Sequence, residues 1–227
     1  MDGFGFAVQV SRTARKKSAS IKLEGSLVKV TVPMSLSETR VRELISKRSG
    51  WIQSKLKEQS KQPIFKSKEY VSGETFPYLG KNYRLKVHEG IESSVKLKNG
   101  YLNVCVSNED KGDATIKFMV EEWYKRHAQT RLTEKTERLA KVIGVTPSSI
   151  EVKSFKSRWG SCSSRGDISY NWKIILASHR IIDYVVVHEL CHLIEHNHSA
   201  KYWKEVGKYI PDWKECRERL KFNPHIF

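Results

Sequence analysis

The stretch from residue 185 to residue 203 reads VVVHELCHLIEHNHSAKYW and holds four of the eight histidines in this 227-residue chain. A buried core seldom takes so many imidazoles, because each ring that leaves water needs a polar partner. A metal site, in contrast, requires several imidazoles close together. The cluster therefore predicts a metal centre, and the spacing of its histidines indicates which kind.

His188 and His192 are the histidines of a His-Glu-x-x-His motif, HELCH. In an α-helix, residues four apart lie on one face a turn apart, so both imidazoles can share one ion. Glu189 lies one step round the helix, where its carboxylate can reach a water on that ion without binding the metal. The three valines before the motif would also suit a strand, but only a helix makes the spacing useful, so we expect a helix.

Zinc is the ion expected for this motif, although another divalent metal would be compatible with it. Zinc lowers the pKa of a water that it binds, and a nearby carboxylate can then take the proton and leave a hydroxide nucleophile. The motif therefore predicts a hydrolase with Glu189 as the general base.

A third ligand is required, and His198 follows His192 by six residues. The helix of the motif cannot carry His198 to the metal, because ten residues beyond His188 it has risen by about 15 Å. The chain must turn back after His192. Asn197 tolerates a left-handed backbone, and Ser199 can cap the next helix, so we expect His198 to return to the metal.

The other residues near the motif are weaker candidates for metal ligands or are not expected to bind the metal. His196 stays on the path of the helix a turn too far along, so we expect it to face solvent or to support the site. Glu215 or Glu218 from a later helix is an alternative third ligand. Cys191 would face away from both metal histidines, which predicts a packed thiol.

The amino-terminal half alternates between strands and one helix. The runs FAVQVSR and SLVKVTVP predict strands within residues 6–32. Ser35 and Glu38 form a capping box before a helix whose apolar face includes Trp51. Residues 61–87 predict further strands, and Asn99-Gly100 is a strong hairpin turn signal.

The carboxyl-terminal half contains longer helices around the motif. Its apolar spacing predicts an amphipathic helix over residues 113–143. Two strand-like runs follow within residues 150–177, and a last helix covers residues 200–221. We predict an α+β fold with a β-rich basic region over residues 1–110 and a metal-binding catalytic domain over residues 111–227.

The composition and the charge indicate where in the cell the protein is expected and what it could bind. No apolar run approaches the roughly 18 residues of a membrane span, and the start of the chain does not look like a signal peptide. The four scattered cysteines fit reduced thiols in the cytoplasm. The net charge is +16, and residues 1–70 hold 15 Lys and Arg against 6 Asp and Glu. This region could bind nucleic acid, or its charge could only keep the surface soluble.

Several blocks together resemble one protein family. The run RWGSCSSRGDISYNWKIILA (158–177), followed by the histidine segment, resembles the YgjP-like metal-dependent hydrolases, which are related to the SprT and WLM families of zincins. The blocks SRTARKKSASIKL, VPMSLSE and YLGKNYRLKV extend the resemblance over most of the chain. It implies a zincin-like catalytic domain, with the motif helix beside a small antiparallel sheet. It also implies His188, His192 and His198 as ligands and Glu189 as the base.

At one position this chain differs from the metzincins, which are another group of zincins. Metzincins share this histidine spacing, but they have a glycine where this chain has Glu195. The turn to the third histidine is therefore expected to differ.

The resemblance also implies a substrate and the residues near it. In zincins an edge strand aligns an extended peptide, so Arg158 and Asn171 are candidate substrate-binding residues. His179, Arg180 and Tyr202 lie near the motif in sequence, but none is identified as an oxyanion donor. The expected activity is that of a metallopeptidase. The alternatives are a metal-dependent nucleoside triphosphate (UTP) pyrophosphohydrolase, a DNA-associated protease, and a nucleic-acid-binding accessory protein.

Overall fold

A computed structural model of the protein describes residues 3–15, 17–60, 68–107 and 112–222. The chain divides into a unit over residues 1–66 and a unit over residues 67–227. The boundary predicted between residues 110 and 111 falls inside the second unit. The reason is that strand residues such as Leu85 and Leu102 belong to the same buried cluster as Trp123 of the following helix.

The first unit is a three-stranded sheet with one helix. Its elements are β1 (Ala7–Thr13), β2 (Ser20–Glu24), β3 (Leu27–Pro33) and α1 (Glu38–Ser60). The strand order is β1-β3-β2, with β1 parallel and β2 antiparallel to β3. The sequence predicted two strands here, and the basic segment between them contains β2.

The core of this unit joins alternate residues of β3 to one face of α1. Its fully buried members are Val28, Val30, Val32, Val41, Ile45 and Ile52. Trp51 was predicted on the same face but is 45% exposed. The helix cap also differs from the prediction, because the Oγ of Ser37, not Ser35, accepts a hydrogen bond from the Arg40 backbone N–H at 3.4 Å.

The second unit begins with a four-stranded sheet. Its strands are β4 (Thr75–Tyr78), β5 (Lys81–Glu89), β6 (Ser94–Lys98) and β7 (Tyr101–Val106), in the order β4-β5-β7-β6. Asn99 and Gly100 have φ angles of 53° and 79°. They form the predicted hairpin turn between β6 and β7, because tight hairpins favour a positive φ at both central residues.

Next come a long helix and a second small sheet. The helix α2 (Asp113–Ile143) has the predicted bounds. The strands β8 (Ser149–Lys153), β9 (Gly160–Cys162) and β10 (Asp167–Asn171) form a sheet in the order β8-β10-β9. The strand β10 is antiparallel to β9 but parallel to β8. The sheet is thus mixed, whereas the family resemblance implied an antiparallel one.

Three helices complete the unit: α3 (His179–Cys191), α4 (Ala200–Tyr209) and α5 (Trp213–Phe222). A short 3-10 helix over Trp172–Leu176 leads into α3 and replaces the end of the second predicted strand run. These elements confirm the α+β class. No helix within the described residues is both long and apolar enough to cross a membrane.

Candidate metal centre

The HELCH motif occupies the end of α3, which confirms the predicted helix. The three valines before it are almost completely buried. The helix ends at Cys191, and the backbone N–H of the next residue, His192, donates to the Glu189 carbonyl at 3.2 Å. His188 and His192 therefore lie at the end of a helix that is held by the core, and this placement limits their motion.

The chain turns back directly after α3, as the spacing of the histidines requires. Ser199 caps α4 as predicted, because its Oγ accepts a hydrogen bond from the Tyr202 backbone N–H at 3.2 Å. Asn197 does not adopt the predicted left-handed backbone. Its side-chain oxygen instead accepts a hydrogen bond from the Ser199 N–H at 3.0 Å, which closes the turn locally.

The turn brings three imidazoles together. One nitrogen each from His188, His192 and His198 lies within 4.8 Å of the other two. The Nε2 atoms of His188 and His198 are 3.2 Å apart. Two nitrogens bound to one tetrahedral zinc at 2.0–2.1 Å would be about 3.3 Å apart. Within the described residues this is the one such grouping of possible metal ligands.

The protonation of these rings suits a bound cation. Burial first, and then the neighbouring imidazoles of His192 and His198, lower the pKa of His188 to about 3. Burial also lowers the pKa values of His192 and His198. Metal ligation requires the neutral imidazole, so at neutral pH all three rings are ready to bind.

The hydrogen bonding of His188 also favours a bound cation. The Nδ1 of His188 is buried and has no hydrogen-bond partner among the described residues. Its Nε2 faces only the Nε2 of another neutral imidazole. A buried Nε2 lone pair that faces only another neutral imidazole is costly, and an ion bound to Nε2 would offset that cost, whereas Nδ1 would remain without a partner. The residues present therefore fit a divalent metal.

Neighbouring groups orient the ligands. The Nδ1–H of His192 donates to the Glu195 carbonyl at 3.2 Å, which leaves Nε2 free for a metal. The Tyr202 ring stacks on His192, with centroids 4.6 Å apart, and its hydroxyl donates to the His188 carbonyl at 2.8 Å. Tyr202 thus supports the ligands and is already engaged, so it is not free to act as an oxyanion donor.

Glu189 lies beside the three imidazoles and is only 5% exposed. Burial raises the pKa of Glu189 to about 8, and the positive charge of Arg158 partly offsets this rise. A bound cation would act in the same direction as Arg158 and favour the carboxylate. Burial and positive neighbours thus act on the pKa of this carboxyl group in opposite directions.

The small strand β9 passes directly over this carboxyl group. A Cβ added to Gly160 would lie 2.5 Å from Oε1 of Glu189 and 2.8 Å from its Cγ and Cδ. Only a residue without a side chain allows this approach. Gly160 was not identified from the sequence, since nothing in RWGSC shows which residue faces the glutamate.

The two predicted substrate residues lie in different environments. Arg158 lines a cleft beside His188 and Glu189. Asn171 is fully buried, and its side-chain amide donates to the carbonyls of Phe155 and Arg158 at 3.1 and 3.2 Å. Asn171 therefore shapes the loop that carries Arg158, and its amide hydrogens are not available to a substrate.

The alternative ligands are also placed. His196 is exposed at the rim of the site and does not join the group of three nitrogens. The Glu215 carboxylate is paired with Arg219 at 2.8 Å. Cys191 is fully buried, as predicted for a packed thiol. Arg180 is paired with Asp212.

Arg217 on α5 was not identified from the sequence. It lines the same cleft as Arg158, and its guanidinium lies over the ring of Trp203, 5.1 Å from the centroid. Trp203 in turn stacks on His198, with centroids 5.6 Å apart. No local pattern could have identified Arg217, because it reaches the site only through the packing of α5 against α3.

One family model and two solved structures are similar to this chain. The family model described as YgjP-like, metallopeptidase domain matches residues 17–223. No curated protein matches the sequence. The crystal structure of the metallopeptidase zymogen of Pyrococcus abyssi abylysin is 22% identical, with a TM-score of 0.39, over 41% of this chain and 95% of that chain. The crystal structure of the metallopeptidase zymogen of Methanocaldococcus jannaschii jannalysin is 20% identical, with a TM-score of 0.36, over 39% of this chain and 92% of that chain. Because the family model spans most of the chain, the protein belongs to the YgjP-like metallopeptidase family and is a metal-dependent hydrolase.

Proposed function

We propose that the protein is a zinc-dependent peptide hydrolase in which His188, His192 and His198 hold the metal and Glu189 is the general base. The observation that carries this proposal is the convergence of three imidazole nitrogens within 4.8 Å, beside a buried carboxyl group. Structural zinc sites are usually closed by four protein ligands, whereas catalytic sites keep one position open. A set of three imidazoles therefore favours catalysis.

Zinc is the metal that this donor set favours. Imidazole ligands suit zinc and several other transition metals, whereas magnesium and calcium prefer oxygen ligands. When bound, zinc polarises both a water molecule and the carbonyl group of the substrate. The protein contributes the orientation of the rings, through the bond from His192 to the Glu195 carbonyl and the stacking of Tyr202.

Glu189 moves the proton. Its carboxylate accepts a proton from the attacking water as the new C–O bond forms at the substrate carbonyl. It then donates this proton to the departing amine as the C–N bond breaks. Burial raises the pKa of Glu189, whereas a cation bound by the neighbouring histidines would lower it and favour the carboxylate that accepts the proton.

The strand β9 favours a peptide as the substrate. Within the described part of the chain it is an edge strand, since the sheet order β8-β10-β9 leaves one side of it without a neighbouring strand. Gly160, Ser161 and Cys162 line the site together with His188 and Glu189. An extended peptide could add to this edge by main-chain hydrogen bonds, which would place a peptide bond beside the metal ligands.

Nucleoside triphosphate hydrolysis is a second candidate. The specific observation in its favour is the pair of guanidinium groups, Arg158 and Arg217, that line the cleft beside Glu189. Guanidinium groups bind phosphate oxygens as well as carboxylates. The edge strand has no evident role in this alternative, so we place it second.

The test compares zinc-loaded wild type with Glu189→Gln on a peptide library and on nucleoside triphosphates. We expect peptide cleavage by the wild type. The glutamine variant should retain the metal and lose a factor of about 10² to 10⁴ in rate, the usual contribution of a general base. Full activity of a zinc-replete Glu189→Gln variant would exclude this mechanism, and cleavage of triphosphates alone would exclude a peptide hydrolase.

A further inference from the structure

A cleft of about 410 Å³ opens on one side of His188 and Glu189. It lies between α3, the loop from β8 to β9, and α5. Its walls include the apolar surfaces of Trp159, Tyr184 and Leu220. Because the cleft begins at the proposed base, a substrate aligned on β9 would place a neighbouring residue in it.

Two positive charges line this cleft together with His188, Glu189 and the apolar side chains. Arg158 comes from the loop and Arg217 from α5. Within the described residues neither guanidinium has a salt bridge, whereas Arg219 on the same helix is paired with Glu215 at 2.8 Å. Among the described residues that line the cleft, the only acidic one is Glu189. Two guanidinium groups against one carboxyl group leave positive charge that favours an anionic ligand.

Aromatic rings hold both guanidinium groups in place. Arg217 lies over Trp203, which stacks on Trp213 with centroids 4.1 Å apart. Arg158 lies over the Phe155 ring, 4.6 Å from the centroid. Cation–π contacts of this kind restrain a side chain without neutralising its charge. Both charges therefore remain available to a ligand.

The positive charge of the cleft lies close to the metal ligands. The Arg217 guanidinium lies over the ring of Trp203, and Trp203 stacks on His198. A cation bound by the three histidines would add to this positive charge. An anionic group in the cleft would be attracted by all of these charges.

We propose that this cleft receives the substrate residue next to the scissile bond and selects a carboxylate there, with Arg217 and Arg158 as the residues that determine specificity. This inference rests on the proposed peptide hydrolase. The carboxylate is either an acidic side chain or the free carboxyl terminus of the peptide. A planar carboxylate matches the fork of a guanidinium group, and the apolar walls suit the methylene groups that carry it.

The experiment measures kcat/KM for matched fluorogenic peptides. One set carries Glu or Gln at each position that flanks the scissile bond, and a second set ends in a carboxylate or an amide. We expect the wild type to prefer the carboxylate by about tenfold to hundredfold, which corresponds to one charge-assisted hydrogen bond. The set that shows the preference identifies the source of the carboxylate.

Variants of the cleft residues test whether the cleft causes the preference for a carboxylate. Arg217→Gln should reduce the Glu-to-Gln ratio about tenfold or more, and Arg217→Lys should restore part of it. Arg219→Gln is the matched control, because Arg219 lies on the same helix and is paired with Glu215. It should leave the ratio unchanged. Arg158→Gln provides a second, independent variant of the cleft.

A binding measurement separates recognition from turnover. In a zinc-loaded Glu189→Gln background, calorimetry should show tighter binding of the Glu peptide than of the Gln peptide, and Arg217→Gln should remove the difference. Cleavage of peptides without any carboxylate preference would overturn this inference and leave the proposed function intact. Triphosphate turnover without peptide cleavage would overturn both.

Discussion

His196 and His198 are two positions apart in the sequence, but their surroundings differ. Both side chains are exposed, but the Nε2 of His198 lies 3.2 Å from that of His188, whereas His196 does not join the three nitrogens. We therefore predict that His188→Ala, His192→Ala and His198→Ala each reduce bound zinc well below one ion per chain. His196→Ala is the control and should keep a full complement. Elemental analysis of the purified variants decides the matter, and full zinc in His198→Ala would mean that another residue is the third ligand.

Gly160 offers a second test at single-residue resolution. An added methyl group would lie 2.5 Å from Oε1 of Glu189, so the carboxyl group must shift away. We expect Gly160→Ala to lower kcat about tenfold or more while zinc remains bound, because a small displacement of a catalytic group is costly. Gly207→Ala is a matched control, since its Cβ would only touch Trp213 at 3.6 Å. A wild-type rate in Gly160→Ala would show that the position of Glu189 does not limit turnover.

The site residues that could be identified from the sequence are those whose spacing indicates that they bind one metal ion. His188 and His192 follow from helical periodicity, and His198 follows from the need for a turn and from the capping serine. Gly160 and Arg217 could not be identified in this way. Gly160 matters because β9 crosses α3, and Arg217 matters because α5 returns to the cleft, so both depend on long-range packing.

At the scale of elements, glycines inside helices test the local packing. Gly207 lies within α4, and a Cβ there has room. We predict that Gly207→Ala raises the free energy of unfolding by about 0.5–1 kcal/mol, because alanine loses less backbone entropy on folding. The midpoint of denaturant unfolding measures this change.

The contrasting variant is Gly80→Ala at the turn between β4 and β5. Gly80 has a φ of +80°, and an added Cβ would lie 2.8 Å from the Cα of Ser178. This substitution should lower the free energy of unfolding by about 1–3 kcal/mol, the usual cost of such backbone strain. Equal effects from the two substitutions would contradict both packing arguments.

Elements with a strong local signal were predicted well. The α2 helix and the Asn99-Gly100 hairpin depend on nearby residues, and both have the expected positions. The pairings of β1 with β3 and of β8 with β10 are parallel, and they were not predicted. Parallel pairing joins strands across a crossover, and no local pattern indicates it. The helix cap lies at Ser37, two residues after the predicted Ser35.

At the scale of the whole molecule, the uneven charge requires an explanation. Residues 1–70 carry 15 Lys and Arg against 6 Asp and Glu, although the metal ligands all lie beyond residue 187. Arg15 and Lys17 are exposed, and Lys16 lies outside the described residues. We propose that this basic region attracts a polyanion such as single-stranded DNA. A charge that only keeps the protein soluble would show no preference among basic positions.

The prediction concerns the run RTARKK. Reversal of Arg15, Lys16 and Lys17 to glutamate should weaken the binding of single-stranded DNA and leave zinc content unchanged. The dependence of affinity on salt should become less steep, by about 0.7 in the logarithmic slope for each phosphate that the protein no longer neutralises.

The control reverses Lys86, Lys96 and Lys98, three exposed lysines in a region of balanced charge. It changes the net charge equally, so an equal loss of binding would indicate a general charge effect. Wild-type binding that does not vary between about 50 and 300 mM salt would exclude a role in polyanion capture, because phosphate neutralisation always releases counterions.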